Sequence, residues 1–281
     1  MNKPVAEGGS APCYVLGHSE QELERLATQA RLIDPIMRSF LRAAGIATGM
    51  RVLDVGSGAG DVAFIAAELV GSTGEVVGVD RASAALANAA ARANGRLLRN
   101  VTFREGDAAE MNFDRPFDAV IGRFVLQFQR DASAMLRRLA TQVRPGGVIA
   151  FQESDWDGAR SLPRSETYDR CCRWIVETLR SGGAQTRMGS QLHSKFVAAG
   201  LPPPSMRLEA VVGGGANASD ALQLIVDLVR AQLPSMERLG VATAAEVGLP
   251  TLAERVRSEA IANSSLIQTY SLIGAWCQIP T

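Results

Sequence analysis

The chain has 281 residues, enough for one large domain or for one domain plus an insertion, and 47% of them are hydrophobic, so a sizeable core can be buried. Lysine plus arginine and aspartate plus glutamate both number 29, and this zero formal net charge argues against nucleic acid as a partner. No apolar stretch reaches ~18 uninterrupted residues, so the sequence predicts no transmembrane helix. Four cysteines without a C-x-x-C pair argue against a zinc site or disulfide framework and favour a reduced, cytoplasmic setting.

The N-terminal 45 residues are predicted to form a lead-in followed by helices that fold over a site as a lid. Ser19 and Glu22 make a capping-box pattern at the start of a helix over residues 19–31. A second helix is predicted to follow Pro35.

Residues 46–155 alternate between apolar strands and single helices. The predicted strands cover residues 51–56, 74–80, 101–108, 117–128 and 148–154. The predicted helices cover residues 61–70, 82–95 and 131–147, the last stopped by Pro145, Gly146 and Gly147. This alternation predicts an α/β fold with right-handed crossovers, a parallel sheet and helices on both faces.

The alternation of strands and single helices does not continue over residues 156–281, which are predicted to be the remainder of the same domain. The predicted elements are helices at 165–183 and 189–200, a sixth strand at 205–214, two or more helices within 218–264, and a last strand at 270–280. Pattern alone does not place these last strands in the sheet.

The segment VLDVGSGAGD, residues 52–61, predicts a nucleoside site. Its three glycines, Gly56, Gly58 and Gly60, directly follow a strand, and a ligand of an open α/β sheet binds beyond the carboxyl ends of the strands. Glycine permits positive φ and close approach of the backbone, and the helix that follows offers free N–H groups. Asp80, at the end of the second strand, stands where an acid can accept both ribose hydroxyls.

The glycine spacing argues against a dinucleotide. Asp61 occupies the position where the G-x-G-x-x-G fingerprint has its third small residue, and an acid is a poor neighbour for a pyrophosphate. A phosphate loop is also missing from the sequence. A cofactor without phosphate therefore fits better, although an NAD-dependent oxidoreductase stays open as an alternative.

With these features the sequence resembles the class I S-adenosylmethionine-dependent methyltransferases. VLDVGSGAGD resembles their first motif, GDAAEMNF (106–113) their adenine-binding segment, FDAVIGRFVLQF (117–128) their fourth-strand motif, and VRPGG (143–147) their helix-ending segment. The resemblance covers residues 14–155 and is nearest to the small-molecule enzymes similar to those of ubiquinone and menaquinone biosynthesis, many of which act in secondary metabolism. It implies a Rossmann-like seven-stranded sheet with an antiparallel last strand, and helical additions at about 156–185 and 218–264 that form a lid over the substrate pocket.

The resemblance also implies a set of residues that hold S-adenosylmethionine. Asp54 and the Gly56–Gly58 backbone serve its methionine end together with the carbonyl of Arg123, Asp80 serves the ribose, and Asp107 lies near the adenine amine. The full predicted set is Gln29, Asp54, Gly56, Ser57, Gly58, Asp80, Arg81, Asp107, Ala108 and Arg123. No metal ligand set is predicted.

Candidates for catalysis are few, because the chain has only two histidines. His18 and Tyr14, in the lead-in, and Glu153, at the end of the fifth strand, are the predicted catalytic residues. Relatives often carry a histidine where this chain has Phe128, so the sequence favours catalysis by proximity on an acceptor that is already nucleophilic.

The predicted function is methyl transfer to a small, largely apolar or aromatic metabolite, by a monomer or homodimer. Aromatic and apolar residues of the additions, Trp156, Tyr168, Trp174 and Met188, are candidates for the acceptor pocket. A methyltransferase fold that binds the cofactor but catalyses another step, or regulates, is the alternative.

Overall fold

The structure, a computed structural model, describes residues 20–281, without the side chains of residues 20–28, 31 and 216. Helices and strands alternate in the first half: α1 Glu20–Ala43, β1 Arg51–Val55, α2 Asp61–Val70, β2 Glu75–Asp80, α3 Ser83–Gly95, β3 Val101–Glu105, β4 Phe117–Arg123, α4 Ala132–Ala140 and β5 Val143–Asp155. The second half contains β6 Arg160–Leu162, α5 Glu166–Ser181, α6 Met188–Ala198, β7 Ser205–Glu209, β8 Val212–Gly214, α7 Ser219–Arg238, α8 Ala244–Val247, α9 Leu249–Ala262, β9 Leu266–Gln268 and β10 Ser271–Gln278.

A seven-stranded sheet forms the centre of the molecule, in the order β3-β2-β1-β4-β5-β10-β7. The five strands from β3 to β5 pair in parallel, whereas β10 lies antiparallel between β5 and β7. The predicted fold class, a mostly parallel Rossmann-like sheet whose last strand is antiparallel, is confirmed.

Apolar helix faces cover both sides of this sheet. Val52 and Leu53 are neighbours in β1, yet they belong to different clusters of buried side chains, because successive residues of a strand point to opposite faces. One cluster includes Phe40 of α1 and Phe64 of α2, and the other includes Phe196 of α6. The helices packed on both faces therefore hold the strands in place, and the strand ends fix where the loops at the carboxyl edge begin.

A third apolar cluster lies among α5, α7 and α9. It includes Trp156, which follows β5 directly, and Tyr270, which precedes β10. Because both residues are tied to the carboxyl end of β5, this cluster joins the added helices to the mouth of the sheet.

The two helices predicted on either side of Pro35 form one continuous helix, α1. Proline removes one helical N–H donor and disfavours helix in the residue before it, so a break at Pro35 is the ordinary expectation. Met37 and Phe40 are completely buried against α2 and the sheet. Burial of this face stabilises the helix enough to carry it through the proline.

The strand predicted over residues 205–214 is divided between two sheets. Its first half is β7, at the edge of the main sheet, and its last three residues are β8, in a three-stranded antiparallel sheet of order β6-β9-β8 that the sequence did not predict. The helix predicted over residues 131–147 also ends earlier, at Ala140. Residues 144–147 bulge out of the pairing between β4 and β5.

Among residues 20–281, every helix is too short or too polar to cross a membrane.

Candidate functional site

A cavity of about 790 Å³ opens at the carboxyl ends of β1, β2, β4 and β5. This is the edge at which ligands of open α/β sheets bind. Its volume lies within the range of ordinary ligand pockets. The cavity has two chemically different ends, which are described in turn.

We call the first the glycine end; it is lined by Gly56, Ser57, Gly58, Asp80, Arg81, Asp107 and Ala108. Gly56 and Gly58 both have positive φ, +63° and +51°. A Cβ on Gly56 would meet Val125 at 2.8 Å, whereas a Cβ on Gly58 would meet none of the described residues within 4 Å. Gly58 therefore presents bare backbone to the open cavity, as close approach of a ligand requires.

Asp80 joins the glycine turn to the loop after β2. Its Oδ2 accepts a hydrogen bond from the Gly58 N–H at 2.9 Å, and its Oδ1 accepts one from the Ala82 N–H at 2.8 Å. An ionised carboxylate has further lone pairs on both oxygens, so this acid can accept two more hydrogen bonds from the cavity side. Its place at the end of β2 and its two fixed bonds orient it for vicinal hydroxyl groups.

Asp54 lies beneath the turn, one residue before the end of β1, and is 1% exposed. Its Oδ2 has no hydrogen-bond partner among the described residues, and neither has the buried Ser57 Oγ. Burial raises the pKa of Asp54 to about 8; the positive charge of Arg123 opposes this rise and Asp80 adds to it. A buried acid with an unpartnered oxygen is the electrostatic complement of a cationic ligand group.

The remaining predicted cofactor residues are also at this end or beside it. Asp107 pairs with Arg81, and its Oδ1 accepts a hydrogen bond from the Ala109 N–H at 2.9 Å, which fixes the loop after β3. Gln29 of α1 and Arg123 at the end of β4 both line the cavity. Nine of the ten predicted residues thus line one cavity, and Asp54 lies below it.

Glu153 does not line the cavity but lies behind it, completely buried. Its Oε1 accepts hydrogen bonds from the N–H groups of Val125 at 2.9 Å and Leu126 at 2.8 Å, and its Oε2 accepts one from Gln127 at 3.3 Å. Burial raises the pKa of Glu153 to about 7. This geometry does not support the prediction of Glu153 as a catalytic group, because its oxygens accept hydrogen bonds from the loop after β4 and the residue does not line the cavity.

That loop carries a strained residue. Phe124 has φ +58°, which a non-glycine side chain seldom adopts, and its N–H bonds to the carbonyl of Gln152 at 3.0 Å. The neighbouring Glu153 bonds fix the next three residues. Strain of this kind persists only where the surroundings enforce it, and it concentrates at functional sites.

We call the second the aromatic end; its apolar lining consists of Phe124, Phe128, Trp156, Leu179, Leu228 and Tyr270. The Tyr270 ring packs against Trp156 at a centroid distance of 4.6 Å and against Phe124 at 6.1 Å. Leu179 comes from α5 and Leu228 from α7, so both large additions contribute to this end.

Sequence analysis found only part of this lining. Trp156 lines the cavity as predicted, whereas Tyr168, Trp174 and Met188 do not. Tyr168 is a core residue whose hydroxyl donates to the carbonyl of Gln268 at 2.8 Å. Tyr270 was missed because only the tertiary pairing of β10 with β5 brings it to the mouth.

The predicted catalytic residues Tyr14 and His18 lie outside the described residues. The other histidine, His193, is exposed on α6 and does not line the cavity. Among residues 20–281, no three histidine, cysteine, aspartate or glutamate side chains are placed to share a metal ion.

Comparison with known proteins identifies the class. Residues 46–198 match a family described as a methyltransferase domain, and because this is more than half of the chain, the protein belongs to that family. Its fold and motifs are those of the class I S-adenosylmethionine-dependent methyltransferases.

Two curated relatives and one solved structure illustrate the likeness. Aklanonic acid methyltransferase DauC of Streptomyces sp. (strain C5) is 38% identical over 134 residues, which are 47% of this chain and 60% of that protein. The ubiquinone/menaquinone biosynthesis C-methyltransferase UbiE of Cellvibrio japonicus is 34% identical over 118 residues, 41% of this chain and 47% of that protein. Phosphoethanolamine N-methyltransferase 2 of Haemonchus contortus shares the fold at a TM-score of 0.56 and 19% identity, covering 91% of this chain and 57% of that one.

The matches to the two curated relatives thus cover roughly half to three fifths of their length.

Proposed function

We propose that this protein transfers a methyl group from S-adenosylmethionine to a small, largely apolar or aromatic metabolite. The observation that carries the proposal is one cavity with a glycine turn and an acid at one end and an aromatic wall at the other. A nucleoside and a flat apolar molecule can occupy these ends side by side.

The residues of the glycine end fit S-adenosylmethionine. The bare backbone at Gly58 admits a ligand, Asp80 has lone pairs for two ribose hydroxyls, and the unpartnered oxygen of Asp54 complements a cation. The cofactor supplies a methyl group already activated on a sulfonium. What the protein must add is orientation and the exclusion of water, which the rigid turn and the apolar wall provide.

The aromatic end favours catalysis by proximity. Among the side chains that the structure describes, no aspartate, glutamate or histidine lines this end. A proton-accepting group of those types would therefore have to come from residues 1–28. Tyr14 and His18 of the lead-in remain predictions for that role. An acceptor that is already nucleophilic needs no such group.

Transfer of label from methyl-labelled S-adenosylmethionine tests the proposal. We expect label in a small-molecule extract and none in tRNA, rRNA or protein fractions. Label confined to a macromolecular fraction would show that the acceptor class is wrong. Cofactor binding without any transfer would favour the alternative, a methyltransferase fold that catalyses another step or regulates.

Replacing Asp80 with alanine should weaken binding of S-adenosylhomocysteine by roughly 10- to 100-fold, since charge-assisted hydrogen bonds to the ribose are lost. Asp80→Asn keeps the size and part of the acceptor capacity, so its loss should be smaller. Isothermal titration calorimetry measures both constants. Equal affinity in the wild type and in Asp80→Ala would remove Asp80 from the site.

Binding of S-adenosylmethionine should release a proton near pH 7. With a pKa of about 8, Asp54 is mostly protonated in the unliganded protein, and a cation bound above it lowers that pKa. The heat of binding should then differ between phosphate and Tris buffers, whose ionisation enthalpies differ, and Asp54→Asn should reduce that difference. Buffer-dependent heats that are the same in the variant as in the wild type would contradict this assignment.

A further inference from the structure

Gln232 is a glutamine on α7 that lines the aromatic end of the cavity and is 1% exposed. Leu228, one helical turn earlier, lines the same end, so this face of α7 forms part of its wall. The Oε1 of Gln232 accepts no hydrogen bond from the described residues. In the described part of the chain, this wall therefore includes a buried hydrogen-bond acceptor that has no donor.

An unpartnered buried amide oxygen is costly and uncommon in folded proteins. Six buried side-chain oxygens in the described chain lack a partner, and only two of them belong to residues that line the cavity, Ser57 and Gln232. Ser57 is at the glycine end, where the proposed cofactor binds. Gln232 is the corresponding group at the other end.

Two other polar side chains that line the cavity, Ser154 and Gln127, are bonded to each other. Ser154 donates its hydroxyl to the Oε1 of Gln127 at 2.7 Å, so that pair satisfies itself. The charged side chains that line the cavity, in the described chain, are Asp61, Asp80, Arg81, Asp107 and Arg123, and none of them comes from the added helices. Among the described residues, a ligand at the aromatic end therefore meets flat rings, polar groups such as Gln127 and Ser154 that already bond to each other, and the unpartnered oxygen of Gln232.

We propose that Gln232 determines substrate specificity. Its Oε1 accepts a hydrogen bond from a hydroxyl group of the substrate, a neutral aromatic molecule that receives the methyl group. The inference rests on the proposed function, because it assigns the aromatic end to the methyl acceptor. It narrows the class of methyl-accepting substrate to uncharged aromatic molecules that carry a hydroxyl donor. Molecules of the same shape without the donor leave the carboxamide oxygen buried and unpaired, and they bind more weakly.

The test compares two probes of similar shape, 2-naphthol and 2-methoxynaphthalene, which differ in the hydroxyl donor. Calorimetry measures the binding of each to the full chain saturated with S-adenosylhomocysteine. We expect the wild type to bind 2-naphthol about tenfold more tightly, as one hydrogen bond to a buried acceptor implies. Gln232→Met, which keeps the length of the side chain without the oxygen, should abolish that preference.

Gln223→Met is the matched control. Gln223 lies on the same helix, donates to Asp227 at 2.8 Å and does not line the cavity, so the preference for 2-naphthol should persist in this variant. Gln232→Leu, which also removes the oxygen, should lose the preference and covers the case that Gln232→Met does not fold.

Three results would overturn the inference: equal affinities in the wild type, a preference that survives in Gln232→Met, or no binding of either probe. Binding of S-adenosylhomocysteine alone is measured first, because it separates a failure of the proposed function from a failure of the inference about Gln232. If it fails, the proposed function fails and the inference fails with it. If it succeeds while the probes show no preference, only the inference is wrong.

Discussion

Replacing Glu153 with alanine should lower the melting temperature near pH 6 by about 6 °C, equivalent to about 3 kcal/mol for a chain of this size. The carboxyl group is completely buried and accepts hydrogen bonds from three consecutive N–H groups. Alanine leaves these donors unpaired in the interior. It also frees the loop that holds Phe124 at positive φ, so methyl transfer should fall more than tenfold.

Asp131→Ala is the control for this variant. Asp131 is an exposed helix cap that accepts one N–H bond, from Ala134 at 2.9 Å. Its loss should cost about 1 kcal/mol. Differential scanning calorimetry measures both variants, and a Glu153→Ala protein that melts within a degree of the wild type would contradict the role assigned to this loop anchor.

The raised pKa of Glu153 gives a second signature. Because its pKa is about 7 in the folded protein against an ordinary 4.5, folding favours the protonated acid. Its contribution to stability is fully present below the unfolded pKa and is lost as the pH rises through about 7, a change of about 3 kcal/mol. The free energy of unfolding of the wild type should therefore decrease over this range relative to Glu153→Gln, which does not ionise. Parallel stability curves for the two proteins would be the contrary result.

Replacing Gly58 with valine should weaken binding of S-adenosylhomocysteine by at least about 100-fold. The side chain would project into the open cavity, where no described residue lies within 4 Å of a Cβ. Gly45→Val is the matched control, because Gly45 also has positive φ (+90°) and no residue of the described range 20–281 within 4 Å of a Cβ, but it does not line the cavity.

Backbone strain affects both glycine variants, so their thermal stabilities should fall by similar amounts. Only Gly58→Val should lose affinity in calorimetric titration. If both variants bind as the wild type does, or if both lose binding equally, the turn is not the ligand-contacting element.

The sheet and the glycine end could be predicted because local sequence determines them. The glycines of 56–60, Asp80 and the strand patterns are encoded within short stretches, and the βαβ rule then brings the strand ends to one edge. Asp54 and Asp107 followed from the family resemblance carried by the same stretches.

The aromatic end could not be predicted in the same way, because it is assembled by long-range packing. Tyr270 reaches it through the antiparallel pairing of β10 with β5, and Gln232 through the packing of α7. Neither residue stands in a local motif. Its position at a strand end predicts a catalytic role for Glu153. Position alone does not distinguish an acid that faces a ligand from one that accepts hydrogen bonds from a loop.

A crystal structure with S-adenosylhomocysteine tests the central claim, that this cavity holds the cofactor at its glycine end, most directly. The account predicts that the ribose hydroxyls lie within hydrogen-bond distance of the Asp80 carboxylate, that the ligand backbone passes over Gly58, and that the space between Trp156 and Gln232 stays free for an acceptor. An adenosine moiety bound at the aromatic end, or outside the cavity, would contradict it.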